Sequence, residues 1–199
     1  DYSVLKLTKK ETRRKSAPPF TTSTMQQEAS RKINFTSRRT MIAAQQLYEM
    51  GYISYMRTDS LRISEVAQKE AREFIAAQYG TEFIPAKPKQ YRAKKSAQDA
   101  HEAIRPTSSV STPEKLKSKL KPDLYKLYRL IWLRFMASQM SDAVLDMVSA
   151  DISTGKYLVK ASGSEVKFAG FMTLYVEGKD EAEEKSTKLP KLEEGQPLL

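Results

Sequence analysis

The period of the hydrophobic pattern changes twice along this chain, and that double change limits the folds open to it. Residues 2–8 (Tyr-Ser-Val-Leu-Lys-Leu-Thr) alternate well enough for a strand, residues 18–140 carry apolar side chains three and four positions apart, and beyond Ser141 the alternation returns. Strands at the two ends of a helical block need partners, and the available partners are one another. The expected fold class is therefore α+β: a mainly helical, helix-turn-helix-like domain inserted into a small antiparallel β domain. Its boundaries fall at 1–16 for the first β segment, 17–141 for the helical domain and 142–170 for the second β segment. Residues 171–199 are a tail or the start of a return to a further domain.

Within the block, Pro18-Pro19-Phe20 sets an extended entry. One of Thr22, Ser23 or Thr24 caps a first helix running to about residue 33, whose Gln26, Gln27, Arg31 and Lys32 suit a phosphate-rich neighbour. Thr36 or Ser37 caps a second helix that opens with Arg38-Arg39 and stops at Gly51. Such a pair is either a helix-turn-helix or an ordinary helical hairpin. Ser64 caps a third helix ending at Gly80, residues 81–97 form a long loop with five cations, and residues 98–105 form a short helical turn closed by Pro106. Thr112-Pro113 opens a helix to about Leu120, and Pro122 opens the longest, with a core stripe through Leu127, Ile131 and Phe135. At the β ends, 9–16 reads as a charged connector. Residues 144–152, 157–161 and 165–168 read as short strands with turns at 153–155 and 162–164, and 177–188 as polar chain without packing.

Lys and Arg number 34 against 24 Asp and Glu, a net charge of +10. A balance of this size favours a polyanionic partner, most often nucleic acid, through counterion release at phosphates. The cations crowd the first forty positions and 87–95, whereas 177–194 is acid-rich, so one basic surface and a separate acidic stretch are expected. With no cysteine and a single histidine, His101, disulfides, thiol nucleophiles, zinc-thiolate sites and histidine-rich metal sites are all excluded within the chain. Any metal must sit on carboxylates or outside it. No apolar run approaches the roughly 20 residues of a membrane span, and the first ten residues lack a signal-peptide core. The expectation is a cytoplasmic protein with no membrane partner.

The stretch 51–60, Gly-Tyr-Ile-Ser-Tyr-Met-Arg-Thr-Asp-Ser, concentrates the chemistry. Read as a strand of period two, Tyr55, Arg57 and Asp59 share a face and Ser54, Met56 and Thr58 the other. A phenol ionises near pH 10 and is a poor nucleophile at neutral pH, unless nearby cations manage its proton and the charge on its target. Arg57 is typed for the second task, because its planar fork binds two phosphate oxygens and never deprotonates. Tyrosine attack on a phosphodiester would conserve the bond energy in a phosphotyrosine, so the strand could be rejoined without a nucleotide cofactor. Taken alone, Tyr55 reads far more readily as a half-buried strand tyrosine than as a nucleophile; Tyr52 is the internal control, with no arginine two positions on.

A second constellation, Gln98-Asp99-Ala100-His101-Glu102-Ala103-Ile104-Arg105-Pro106, would in helical spacing make His101 and Arg105 i,i+4 neighbours able to share one phosphate. Glu102 would point elsewhere and anchor the segment. Together with Pro19-Phe20-Thr21-Thr22-Ser23-Thr24-Met25-Gln26-Gln27 and the stretch 51–60, the run 100–106 resembles successive signatures of the bacterial type IA DNA topoisomerases, over most of residues 8–170. The resemblance implies that Tyr55 forms a 5′-phosphotyrosyl link to one DNA strand. Arg57 would steady the scissile phosphate, His101, Arg105 and Gln26 would contact phosphate, and Asp59 would hold His101 or the tyrosine loop. It implies a tyrosine domain at 17–141 and a β arch made of 1–16 and 142–170.

The same resemblance implies relaxation of negatively supercoiled DNA through a transient single-strand break, without ATP. It requires Mg²⁺ held by a toprim domain of the same polypeptide that lies outside this chain. The chain alone is thus expected to be inactive, with single-stranded DNA and the missing domains as its partners and hinges near Ser16 and Ser141. Two alternatives stand beside it: a non-enzymatic helix-turn-helix DNA-binding module, and an RNA-binding fragment, against which the lack of an aromatic-rich strand motif counts.

Overall fold

A computed structural model describes residues 2–91, 101–177 and 189–198. The elements run β1 (Tyr2–Arg14), α1 (Thr22–Ile33), α2 (Ser37–Glu49), α3 (Glu65–Tyr79), α4 (Pro113–Leu116), α5 (Pro122–Ser138), β2 (Ala143–Ser153), β3 (Leu158–Phe168) and β4 (Pro197–Leu198), with 3₁₀ turns at Thr81–Phe83 and Gly170–Thr173. They form two compact units. One holds the described residues of 1–15, 142–170 and 189–198, the other those of 16–141 and 171–177. The fold class is α+β, with a mainly helical unit and an antiparallel sheet.

The β unit is a four-stranded sheet in the order β3-β2-β1-β4. β1 pairs antiparallel with β2 from Ser3↔Ser153 to Arg14↔Ala143, with an irregularity between Val4 and Lys6, and β2 pairs with β3 along its length. Two expectations need correction. Residues 9–14 are not a connector but continue β1, because β2 supplies hydrogen-bond partners to the end. Lys9, Lys10, Glu11 and Arg13 are all exposed, so no apolar face marks this part as strand. Nor is 162–164 a turn: Gly163 lies inside β3 opposite Val148 and is buried. The real turn follows Ser153, where Gly155 takes a φ of 81°. Side chains as well as ladders hold the unit: Lys167 donates to Glu11 at 2.8 Å and draws its carboxyl below the usual range.

The helical unit follows its local signals closely. α1 is capped by Thr21, one position before the expected candidates, in a reciprocal box with Thr24. Asn34, at φ 55°, turns the chain toward α2, which Thr36 caps, while Ser64 caps α3. Pro122 sits in the first turn of α5. The helix expected from Pro113 to about Leu120 is short, since α4 ends at Leu116. Phe20, Met25, Leu47, Ile75, Leu127 and Phe135 are essentially fully buried, each contributing on the order of 1.5–3 kcal/mol. Phe171 and Tyr175, from the stretch read as tail, also belong to this core. Arg39 at the start of α2 is committed to structure: its fork donates twice to Asp123, each at 2.8 Å, and its guanidinium lies 4.3 Å from the Phe35 ring centre.

A polar cluster crosses the core of this unit. Arg134, 2% exposed, donates through Nε to the Pro18 carbonyl at 2.5 Å and through Nη1 to Glu177 at 2.9 Å. It stacks against the rings of Phe20 and Tyr175. The Tyr175 hydroxyl donates to Glu28, itself 1% exposed, and Arg31 reaches the other oxygen of Glu28 at 3.1 Å.

Burial pushes the phenols of Tyr128 and Tyr175 well above their ordinary range. Because the folded state holds these protons more tightly, the stability they carry is fully present below about pH 10, the unfolded phenol's pKa, and is lost as pH rises beyond it. The urea midpoint is therefore expected to fall steeply above pH 10. Tyr128→Phe, which deletes a hydrogen bond to the Ser111 carbonyl, should start lower at pH 8 and fall less. Parallel curves for wild type and variant would contradict this.

Among the described residues, no helix is long and apolar enough to cross a membrane.

Candidate active site

Residues 51–60 leave α2 through Gly51, at φ 77°, and do not form the expected strand. Instead of one neighbouring strand, their partners are the 103–107 segment and Thr22. Ile53 bridges Pro106, the Tyr52 carbonyl accepts from Thr107 at 3.0 Å, and Ser54 exchanges hydrogen bonds with the 103–105 backbone. Exposure nonetheless alternates: Tyr55, Arg57 and Asp59 face solvent, whereas Met56, Thr58 and Ser60 are buried. Tyr55 is 39% exposed. Its ring stands between Tyr48, edge-on with centroids 5.4 Å apart, and His101, tilted at 6.0 Å.

The segment carrying His101 is not helical over its described part, 101–106. Its amides are already taken: Ala103 N–H donates to the Arg62 carbonyl, Ile104 N–H to the Phe20 carbonyl and Arg105 N–H to the Ser54 hydroxyl. Ala103 and Ile104 are consequently buried, and Pro106 has no amide to extend a helix. His101 and Arg105 are therefore not i,i+4 neighbours. Arg105 donates to Glu102 at 2.6 Å and to the Pro106 carbonyl at 3.1 Å, so this pair ties the segment together. Gln98, Asp99 and Ala100 lie outside the described residues.

Arg57, Asp59 and His101 line an open cleft of about 550 Å³ whose other wall is the start of α1, through Thr21, Thr22 and Ser23. Gln26, one turn further along α1, is half-buried and is not among the lining residues. Asp59 lines the cleft but makes no hydrogen bond to His101 among the described residues. Sequence reasoning misses Tyr48 and Thr22. The apolar periodicity places Tyr48 in the stripe of α2, although an aromatic in the last turn before a glycine stop is well placed to meet the segment beyond it. Thr22 reads from sequence only as a cap.

Arg57, His101 and the threonine and serine hydroxyls suit anion binding next to a phenol, and the one carboxylate, Asp59, works against it. They do not suit Mg²⁺, which takes several oxygen ligands. Among the described residues no cluster of three or more acidic or histidine side chains is placed to hold a metal ion.

A family model described as DNA topoisomerase matches residues 1–199, the whole chain. Among solved structures, full-length topoisomerase I from Thermotoga maritima superposes with a TM-score of 0.84 at 35% identity, over 98% of this chain and 32% of that one. The chain belongs to the DNA topoisomerase family, in its bacterial type IA branch. It spans about a third of the length of the Thermotoga protein it matches.

Proposed function

We propose that this chain supplies the strand-cleaving tyrosine of a DNA-relaxing enzyme. The supporting observation is the exposed Tyr55 ring, 6.0 Å from His101, beside a cleft lined by Arg57. Tyr55 Oη attacks the phosphorus of a phosphodiester, an O–P bond forms, and the bond to the 3′ oxygen breaks. The phenol gives up one proton and the leaving 3′ hydroxyl takes one, so no further reactant is needed. Rejoining is the reverse. Arg57 holds the non-bridging oxygens and His101 adds a second donor, both acting where charge builds in the transition state. Glu102 and Arg105 keep the His101 segment in place, Asp59 steadies the tyrosine loop, and Gln26 meets the phosphate chain beyond the cleft.

The substrate is single-stranded DNA opened from a negatively supercoiled duplex in the bacterial cytoplasm. Mg²⁺ and the group that protonates the 3′ oxygen come from other parts of the polypeptide, and the β unit serves as the arch around the passing strand. The test is to denature full-length protein on a single-stranded oligonucleotide and map the DNA-linked peptide. A link at Tyr55 is expected; a link at Tyr48 or Tyr52, or none, would sink the proposal.

A further inference from the structure

The hydroxyl of Thr22 occupies an unusual place for a residue in the first turn of a helix. Thr21, not Thr22, caps α1, so the Thr22 side chain is not needed for helix initiation. It turns instead to the backbone around Arg57. Its Oγ1 lies 2.7 Å from the Met56 carbonyl oxygen and 3.1 Å from that of Thr58, and it accepts the Thr58 N–H at 2.9 Å. The Thr58 carbonyl already accepts from Thr22 N–H at 2.9 Å, so the single hydroxyl proton belongs on Met56. The Met56 carbonyl is part of the peptide unit entering Arg57, and the Thr58 amide is part of the unit leaving it. One oxygen thereby restrains both φ and ψ of Arg57.

We infer that Thr22 is a positioning residue for cleavage: its hydroxyl fixes the direction in which Arg57 leaves the backbone and enters the cleft. The inference rests on the assignment of Arg57 to the scissile phosphate. Two facts about the arginine support it. Arg57 is exposed, and among the described residues its guanidinium makes no hydrogen bond or ion pair, so no polar contact there orients its far end. The aim of such a side chain is set at its root. A misdirection of about 1 Å at a transition-state contact can cost on the order of a hundredfold in rate.

The experiment uses full-length protein and a 3′-end-labelled single-stranded oligonucleotide, and measures single-turnover adduct formation and DNA affinity. Thr22→Val keeps the shape and removes the hydroxyl; adduct formation should slow about tenfold or more while the dissociation constant stays within about twofold. Thr22→Ser should restore the rate to within about threefold. In an Arg57→Ala background, Thr22→Val should cause no further loss, because the residue through which it acts is gone. A Thr22→Val rate equal to wild type overturns the inference, as does an undiminished loss in the Arg57→Ala background, which would mark general loosening of the unit. Tyr55→Phe run alongside separates the two levels. An adduct surviving Tyr55→Phe defeats the assignment of the nucleophile, whereas loss there with normal Thr22→Val defeats only the role of Thr22.

Discussion

Replacing Tyr55 with phenylalanine in full-length protein is expected to abolish the covalent DNA adduct while leaving the fold and DNA affinity close to wild type. The substitution removes one oxygen. Among the described residues that oxygen makes no hydrogen bond, so nothing buried is orphaned by its loss. The ring stays, with its edge-on contact to Tyr48 and its tilted contact to His101, and the stability change should remain within about 0.5 kcal/mol. Loss of an enzymic nucleophile costs at least about 10⁴-fold, so adduct and DNA relaxation should fall below detection. A denaturing gel with labelled oligonucleotide reads the adduct, and a melting curve reads the fold. Retained adduct with an intact melting transition would remove Tyr55 from the mechanism.

The second large effect concerns stability. Arg134→Met should destabilise the helical unit by about 3–5 kcal/mol, because it strips one cation from a buried cluster without removing the carboxylates. Glu28 would keep Arg31, whose side chain is partly in solvent, and Glu177 would lose its contact at 2.9 Å. The Pro18 carbonyl would lose its donor, and the Phe20 and Tyr175 rings their stacked guanidinium. Methionine fills much of the volume, so the cost is one of charge and hydrogen bonding more than of a cavity. Arg134→Lys should recover only part of the loss, since an ammonium lacks the planar fork that reaches both the Pro18 carbonyl and Glu177. Urea denaturation at constant slope measures both; a loss under about 1 kcal/mol for Arg134→Met would mean that the cluster tolerates its own disassembly.

What could be read from the sequence was what is local. Ser64, Thr36 and Gly51 mark helix ends through bonds made within four residues, Pro122 through its fixed φ and missing N–H, and all four lie at the ends the sequence indicates. The alternation of Tyr55, Arg57 and Asp59 with buried neighbours was likewise legible, because burial leaves its mark on residue type. Its cause was not. No strand runs beside 51–60, and the carbonyls and hydroxyls that hold it come from residues about 35 and 50 positions away in sequence, Thr22 and Ala103 to Thr107. The helical reading of His101 to Arg105 failed for the same reason, since three amides had found long-range acceptors. Arg134 shows a different limit: a charged residue in an apolar stripe gives no sign of whether it faces water or a buried carboxylate. Strand residues 9–14 were hidden because a strand solvated on both faces carries no hydrophobic alternation.

The register of β1 with β2 has a consequence for the order in which the chain becomes structured. Arg14 and Ala143, the pair at one end of that ladder, are roughly 130 residues apart in sequence, and every other pair is further apart. Closing so long a loop before anything inside it is ordered carries the full entropic penalty, whereas closing it after the intervening helices have condensed carries little. During synthesis β1 emerges before the helical block and waits, a thirteen-residue strand without its β2 partner until residue 143 has been made. Its lysines and arginines, spaced through 6–14, are the charges that keep such a waiting strand from pairing with the wrong edge.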